Sequence, residues 1–186
     1  MKEDKHVIAS IINYKDIEKA IKYKTNIAAV FILIGDFVKL KEIVKLFRKE
    51  GIDVYIHIEM INGLKLDEFG MKYIKNEINP TGIISTKSNH IKIAKSINLF
   101  AIQRFFLADY NMLDNIIITT KKTSPDAIEI MPVQTSYLFS KIKAEVKTTI
   151  ISGGLVDDVE SVVNTIKNGA KCVSTSNKML WKHEFY

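Results

Sequence analysis

The stretch IISGGL (Ile150–Leu155), followed seventeen residues later by CVSTSNK (Cys172–Lys178), decides how this chain is read. Each segment is a short apolar strand that ends in a small, polar or glycine-rich turn and runs into a helical pattern. Two adjacent turns of this kind, rich in backbone N–H groups and hydroxyls, make a pocket for one phosphate group. If six strand–helix units precede them, they form the phosphate end of a (β/α)8 barrel.

Hydrophobic periodicity supplies those units. VIASII (Val7–Ile12) is the first strand; Asn13 is placed to cap the next helix, whose inner face is Ile17, Ala20 and Ile21. Ile27–Ile34 is the second strand, ending at Gly35-Asp36, with Asp36 as the cap of a helix carrying Phe37, Leu40, Val44 and Phe47. The third, Val54–Met60, leads to a helix over about 67–78 that Asn79-Pro80 stops. Gly82–Ser85, Leu99–Phe106 and Ala127–Met131 are the fourth to sixth strands, and the opening pair are the seventh and eighth. Strands apolar on both faces that alternate with amphipathic helices predict a parallel sheet covered by helices. The expected fold is a small single-domain (β/α)8 TIM-like barrel over residues 1–186, with the eighth helix reduced or missing because few residues follow Trp181. An open flavodoxin-like sheet needs fewer strands and would leave the others unplaced. A missing helix would uncover the apolar flanks of strands eight and one, which makes that flank a place for a homodimer contact.

Composition narrows the class. The 186 residues are 47% hydrophobic and 26% charged, within the range of a globular domain. No apolar run approaches the ~20 residues of a membrane-spanning helix, and the N-terminal MKEDKH has no signal-peptide pattern. Cys172 is the single cysteine, so an intramolecular disulfide is excluded and a cytoplasmic location is expected. The net charge of +6 suits a nucleic-acid partner, but all 27 basic residues except Arg48 and Arg104 are lysines spread along helix faces. Exposed aromatics such as Tyr14, Tyr23 and Tyr186 are candidates for RNA contact, with packing at the core or rim as the plainer reading.

Barrel chemistry sits at the carboxyl ends of the strands. That rule selects Gly35, Asp36, Glu59, Asn62, Ser85, Thr86, Lys87, Gln103, Arg104, Glu129, Gly153, Gly154, Ser174, Thr175 and Ser176. Gly153 and Gly154 allow close backbone approach to a phosphate, and Ser174, Thr175 and Ser176 add hydroxyls; a tight turn plus a serine cap is the alternative. Lys87 is placed to neutralise a phosphate, polarise a carbonyl or form a Schiff base, or is an ordinary helix-start lysine. Glu59 and Glu129 lie in apolar strands and need a cation such as Lys87 or Arg104, or the hydroxyls of a ligand. Arg104 suits a bidentate anion contact or a buried ion pair. His57 reads as a hydrogen-bonded core residue, with a catalytic histidine as the alternative. His6, His90 and His183 lack ligand spacing, so no metal and no cofactor is expected.

Taken in order, FILIGD, VYIHIEMINGL, GIISTKSN, FAIQRFFL, DAIEIMP, IISGGL and VSTSNKMLW form a set that closely resembles the glycerol-3-phosphate responsive antiterminators, regulators of glycerol uptake operons. The likeness runs from the first strand to Trp181; GIISTKSN and the closing STSNK-LW carry its specificity, whereas SGGL is shared by many phosphate-binding barrels. The resemblance implies a small barrel that binds glycerol 3-phosphate and acts on the leader mRNA of a glycerol-catabolism operon as a transcription antiterminator. It places the phosphate on Gly153, Gly154, Ser174, Thr175 and Ser176, and Glu59, Lys87, Gln103, Arg104 and Glu129 around the rest of the pocket. Three positions depart from the family pattern: Pro132-Val133-Gln134 in place of a Pro-Gly turn, Asp157-Asp158 after GGL, and Ile11-Ile12-Asn13 where a basic residue is common. The alternative from another class is a barrel enzyme (lyase, isomerase or phosphodiesterase) using Glu59, Glu129 and Lys87 on a phosphorylated small molecule.

Overall fold

The structure, a computed structural model, describes residues 1–2 and 4–185; Tyr186 lies outside them. Eight parallel strands close into a barrel in sequence order: β1 (Val7–Ile11), β2 (Ile27–Ile32), β3 (Val54–His57), β4 (Gly82–Ser85), β5 (Phe100–Phe106), β6 (Ala127–Met131), β7 (Thr149–Gly153) and β8 (Cys172–Thr175). The helices between them are α1 (Asp16–Lys22), α2 (Phe37–Lys49), α3 (Glu68–Tyr73), α4 (Ser88–Ser96), α5 (Tyr110–Thr123), α6 (Phe139–Glu145) and α7 (Val159–Lys167), with α8 (Lys178–Lys182) after β8. The expected barrel, with its reduced last helix, is the fold observed.

Strand alternation explains why the strands carry apolar residues on both faces. One set of side chains, among them Ile8, Phe31, Tyr55, Ile84, Ile102, Ala127, Ile151 and Cys172, fills the barrel interior. Their neighbours in sequence point outward: Val7, Ala9, Ile56, Ile83 and Val173 meet Leu40, Val44, Phe47, Ile91 and Trp181. Ile128, Ile130 and Ile150 meet Leu113, Ile116, Phe139 and Ile142. Eight strands leave an interior just wide enough for side chains. Tyr55 plugs it with edge-on contacts to Phe31 at 5.8 Å and Phe100 at 5.5 Å between ring centroids. Cys172 belongs to this inner packing, and burial pushes its thiol up to about 12.

Aspartate caps start four helices. Asp36 accepts from Lys39 N, Asp67 from Gly70 N, Asp109 from Met112 N and Asp158 from Ser161 N, at 2.7–3.0 Å. Two local expectations change. Asn13 does not cap α1: its Oδ1 accepts from Lys15 N at 3.0 Å in a turn just before the helix, leaving Asp16 as the first helical residue. The third strand stops at His57, and Ile58–Met60 form a 3-10 turn, so Glu59 leaves the sheet.

The flank of strands eight and one is covered, contrary to the expectation that motivated a homodimer there. Although α8 has five residues, Leu180 and Trp181 are buried, and Trp181 Nε1 donates to Thr175 O at 2.9 Å. One indole supplies the apolar cover that a longer helix would give in smaller pieces.

Candidate functional site

At the carboxyl end the inner face changes character within one pleat. Below lie Ile8, Ile102, Ala127, Ile151 and Cys172; the next inward positions are Ser10, Arg104, Glu129, Gly153 and Ser174. This polar tier floors a cavity of about 330 Å³ walled by Ile12, Leu33, Met131, Gly154, Leu155, Val156, Asp157, Thr175, Ser176 and Asn177. The volume is at the small end of the range for small-molecule pockets.

The tier is tied by charge. Arg104 Nε donates to Glu129 Oε2 at 2.6 Å, and Ser174 Oγ donates to Glu129 Oε1 at 2.6 Å. Glu129 is fully buried, and both of its oxygens are engaged. Arg104 is 10% exposed and lines the cavity; among the described residues no hydrogen bond uses its two terminal nitrogens. A guanidinium anchored through Nε thus presents its remaining N–H donors to the cavity, an arrangement suited to an anion.

The two terminal turns divide their work. A Cβ on Gly153 would fall on Ser174 Oγ and within 3.1 Å of Glu129 Oε1, so this glycine makes room for the charged tier from behind. Gly154 is at the cavity wall with φ +74°, and Leu155 follows with φ 55°. The adjacent loop braces them: Val133 N donates to Gly154 O at 3.1 Å, and Gln134 Nε2 to Leu155 O at 3.0 Å. Val133-Gln134, expected from the resemblance to be a departure, is the support of the glycine turn. In the β8 turn Thr175 Oγ1 accepts from Asn177 N at 3.0 Å, and Asn177 Nδ2 donates to Asp157 O at 3.0 Å. Of the two aspartates after GGL, Asp158 is turned to its helix cap, and only Asp157 lines the cavity.

Of the residues selected from sequence, Arg104, Gly154, Ser174, Thr175 and Ser176 line one cavity, with Glu129 and Gly153 directly behind it. Gln103, expected in the pocket, faces the helix layer instead: its Oε1 accepts from Thr123 Oγ1 at 2.6 Å, and its Nε2 donates to Ser88 Oγ at 3.2 Å. It adjoins Arg104 in the strand, and alternation sends the two to opposite faces. Lys87 is exposed at the start of α4, outside the cavity lining, and pairs with neither glutamate. Gly35, Asp36 and Asn62 bridge the β2 and β3 loops through Phe37 N to Asn62 O and Asn62 N to Gly35 O. Ser10 and Asn177 were not selected. Ser10 had a signal, being the one polar residue of VIASII and in step with inward-facing Ile8.

Glu59 forms a separate cluster at the top of β3 and β4. Its Oε1 accepts from Ser85 Oγ and lies 2.9 Å from His90 Nδ1; Oε2 is 3.1 Å from His57 Nδ1, but misaligned for a hydrogen bond. Ser85 Oγ also accepts from Lys87 N at 3.0 Å. Burial pushes the Glu59 carboxyl up, but the contacts from His57, Ser85 and His90 outweigh it and hold the group at about 2, against 4.5 for a free glutamate. A folded-state value below the unfolded one means stability that is present above pH 4.5 and lost as pH falls through about 2. Melting temperature measured across that window should fall more steeply in the native protein than in Glu59→Gln. Parallel curves would remove Glu59 as a source of acid sensitivity.

The family model for "Glycerol-3-phosphate responsive antiterminator" matches residues 7–181, nearly the whole chain. The chain belongs to this family. Among solved structures, the glycerol uptake operon antiterminator regulatory protein of Listeria monocytogenes is 34% identical, with a TM-score of 0.89 over 96% of each chain. A glycerol uptake operon antiterminator-related protein of Thermotoga maritima is 26% identical, with a TM-score of 0.84 over 96% of this chain and 99% of that one. The uncharacterized Escherichia coli K12 protein YgcP is 30% identical over 94% of this chain and 91% of its own. The family named from the sequence motifs is the family found. Antiterminator membership points to a regulator of glycerol metabolism. No helix among the described residues is long and apolar enough to cross a membrane.

Proposed function

We propose that the carboxyl-end cavity binds glycerol 3-phosphate and that the liganded protein acts in the cytoplasm on the leader mRNA of a glycerol-catabolism operon, as an antiterminator and not as an enzyme. The observation that carries the ligand half is Arg104, held by Glu129 with its terminal N–H donors toward a cavity of small-molecule size. The Gly154 turn and the Thr175 and Ser176 hydroxyls supply further donors around the same space, the Ser174 hydroxyl being spent on Glu129. The residues an enzyme reading would use support binding instead. Glu129 is consumed by an arginine and a serine, Glu59 belongs to a separate cluster, and Lys87 is outside the cavity lining.

A ligand that binds only the folded state stabilises it by mass action, about 2.7 kcal/mol at a hundredfold excess over Kd. For a domain of this size that corresponds to a rise in melting temperature on the order of 5–10 °C. Glycerol 3-phosphate is expected to give this rise, and glycerol or inorganic phosphate alone much less. An unchanged melting temperature at millimolar glycerol 3-phosphate would sink the ligand assignment.

A further inference from the structure

We infer that the groove between the β5–α5 and β6–α6 loops is a stacking site for an unpaired RNA base, walled by Tyr110 and Tyr137; the inference rests on the RNA half of the proposed function and gives it a surface. The groove is lined by Leu107, Ala108, Asp109, Tyr110, Thr135, Tyr137 and Leu138, with a volume of about 300 Å³. Its two tyrosines are 63% and 65% exposed, and Phe106, just before the groove in sequence, is 59% exposed. Aromatic planes left in water beside a narrow cleft are the feature by which proteins take splayed, single-stranded bases.

Charge favours the same occupant. The chain carries a net +6. Lys141 Nζ lies 5.2 Å from the Tyr110 ring centroid, and no carboxylate among the described residues pairs with it. Asp109, the one carboxylate lining the groove, is turned to its cap on Met112 N at 2.8 Å. A phosphate beside the stacked base meets Lys141, while the Asp109 charge, still present, is directed through Oδ1 at the N-terminus of α5. The exposed Lys87 begins the neighbouring helix α4 and likewise has no carboxylate partner among the described residues.

The groove is also next to the ligand cavity by construction. The 3-10 segment Val133–Leu138 donates to Gly154 O and Leu155 O at one end and carries Tyr137 at the other. One wall of the cavity and one wall of the groove are thus parts of a single short segment.

The test is fluorescence anisotropy with a labelled, unstructured RNA of about 16 nucleotides, and a duplex of the same composition, both with glycerol 3-phosphate present. Single-stranded RNA should bind more tightly than the duplex to the native protein. Tyr110→Ala and Tyr137→Ala should each weaken binding by roughly 5- to 150-fold, the range measured for loss of a base–aromatic stack, whereas Tyr110→Phe and Tyr137→Phe should bind as the native protein does. Lys141→Gln should reduce the slope of log affinity against log salt by about 1. All five variants should keep the melting-temperature response to glycerol 3-phosphate, which controls for folding and for the cavity. Alanine variants that bind RNA like the native protein would overturn the stacking site and leave the RNA function standing; a second copy or an apolar peptide seated in the groove would give that same result. Absence of RNA binding by the native protein would overturn both.

Discussion

Arg104→Met is expected to lower stability by about 3–5 kcal/mol, the usual cost of stranding one half of a buried ion pair, and to abolish the melting-temperature response to glycerol 3-phosphate. The size follows from Glu129, which is fully buried and has Arg104 as its only cationic partner among the described residues. Ser174 Oγ would still donate to Oε1, but one hydroxyl does not neutralise a carboxylate inside a barrel. The two effects separate in the double variant. Adding Glu129→Gln to Arg104→Met removes the stranded charge and keeps an oxygen for Ser174 to donate to, so most of the lost stability should return. The ligand response should not return, because the cavity still lacks its guanidinium. Urea unfolding with and without ligand reads both quantities, and the pair is close enough in space for strong non-additivity. If the single variant kept its ligand response, Arg104 would not be the anion anchor. If the double variant were no more stable than the single one, an uncompensated Glu129 would not explain the loss.

The barrel was legible because its strands are apolar on both faces, as at Ile8 and Ala9, which face opposite ways. Only a sheet buried on both sides asks for that. The carboxyl-end rule found much of the cavity for the same reason: in a parallel barrel, the residue that ends a strand is at the mouth wherever it lies in the chain. It could not separate Gln103 from Arg104, which are adjacent in the middle of one strand. Reading the two-residue period back from Ile102, which faces inward, would have done so.

The Glu59 cluster was illegible on different grounds. Its partner His90 is thirty-one residues away and on a helix, and the link exists only because β3 and β4 are neighbours and Glu59 turns out of the sheet. Glu59 was expected to need a cation or a ligand; two histidines and a serine serve instead. The Val133-Gln134 departure looked like a lost turn. It is a brace whose hydrogen-bond acceptors, Gly154 and Leu155, come from the next unit of the barrel.

Trp181→Ala carries the second large expected effect, a loss of about 3–5 kcal/mol. The indole is completely buried in a helix of five residues, so nothing else in that helix can collapse into the space it leaves. Its loss also removes the Nε1 donor to Thr175 O and the ring beneath Lys178, whose ammonium is 5.5 Å from the ring centroid and 3.0 Å from Asp16 Oδ1. Thr175, Ser176 and Asn177 form the cavity wall just ahead of this helix. The alanine variant should therefore show a smaller ligand response as well as a lower urea midpoint. Trp181→Phe keeps most of the volume and gives up the hydrogen bond, leaving the buried Thr175 carbonyl without that donor, so about 1–3 kcal/mol is expected. That ordering, alanine worse than phenylalanine and phenylalanine worse than the native residue, is what a single side chain closing the barrel between β8 and β1 requires. A loss for Trp181→Ala within about 0.5 kcal/mol, as for an exposed site, would mean that the indole does not cover this flank. The apolar edges of the first and last strands would then need another cover, and a second copy of the chain would again be the candidate.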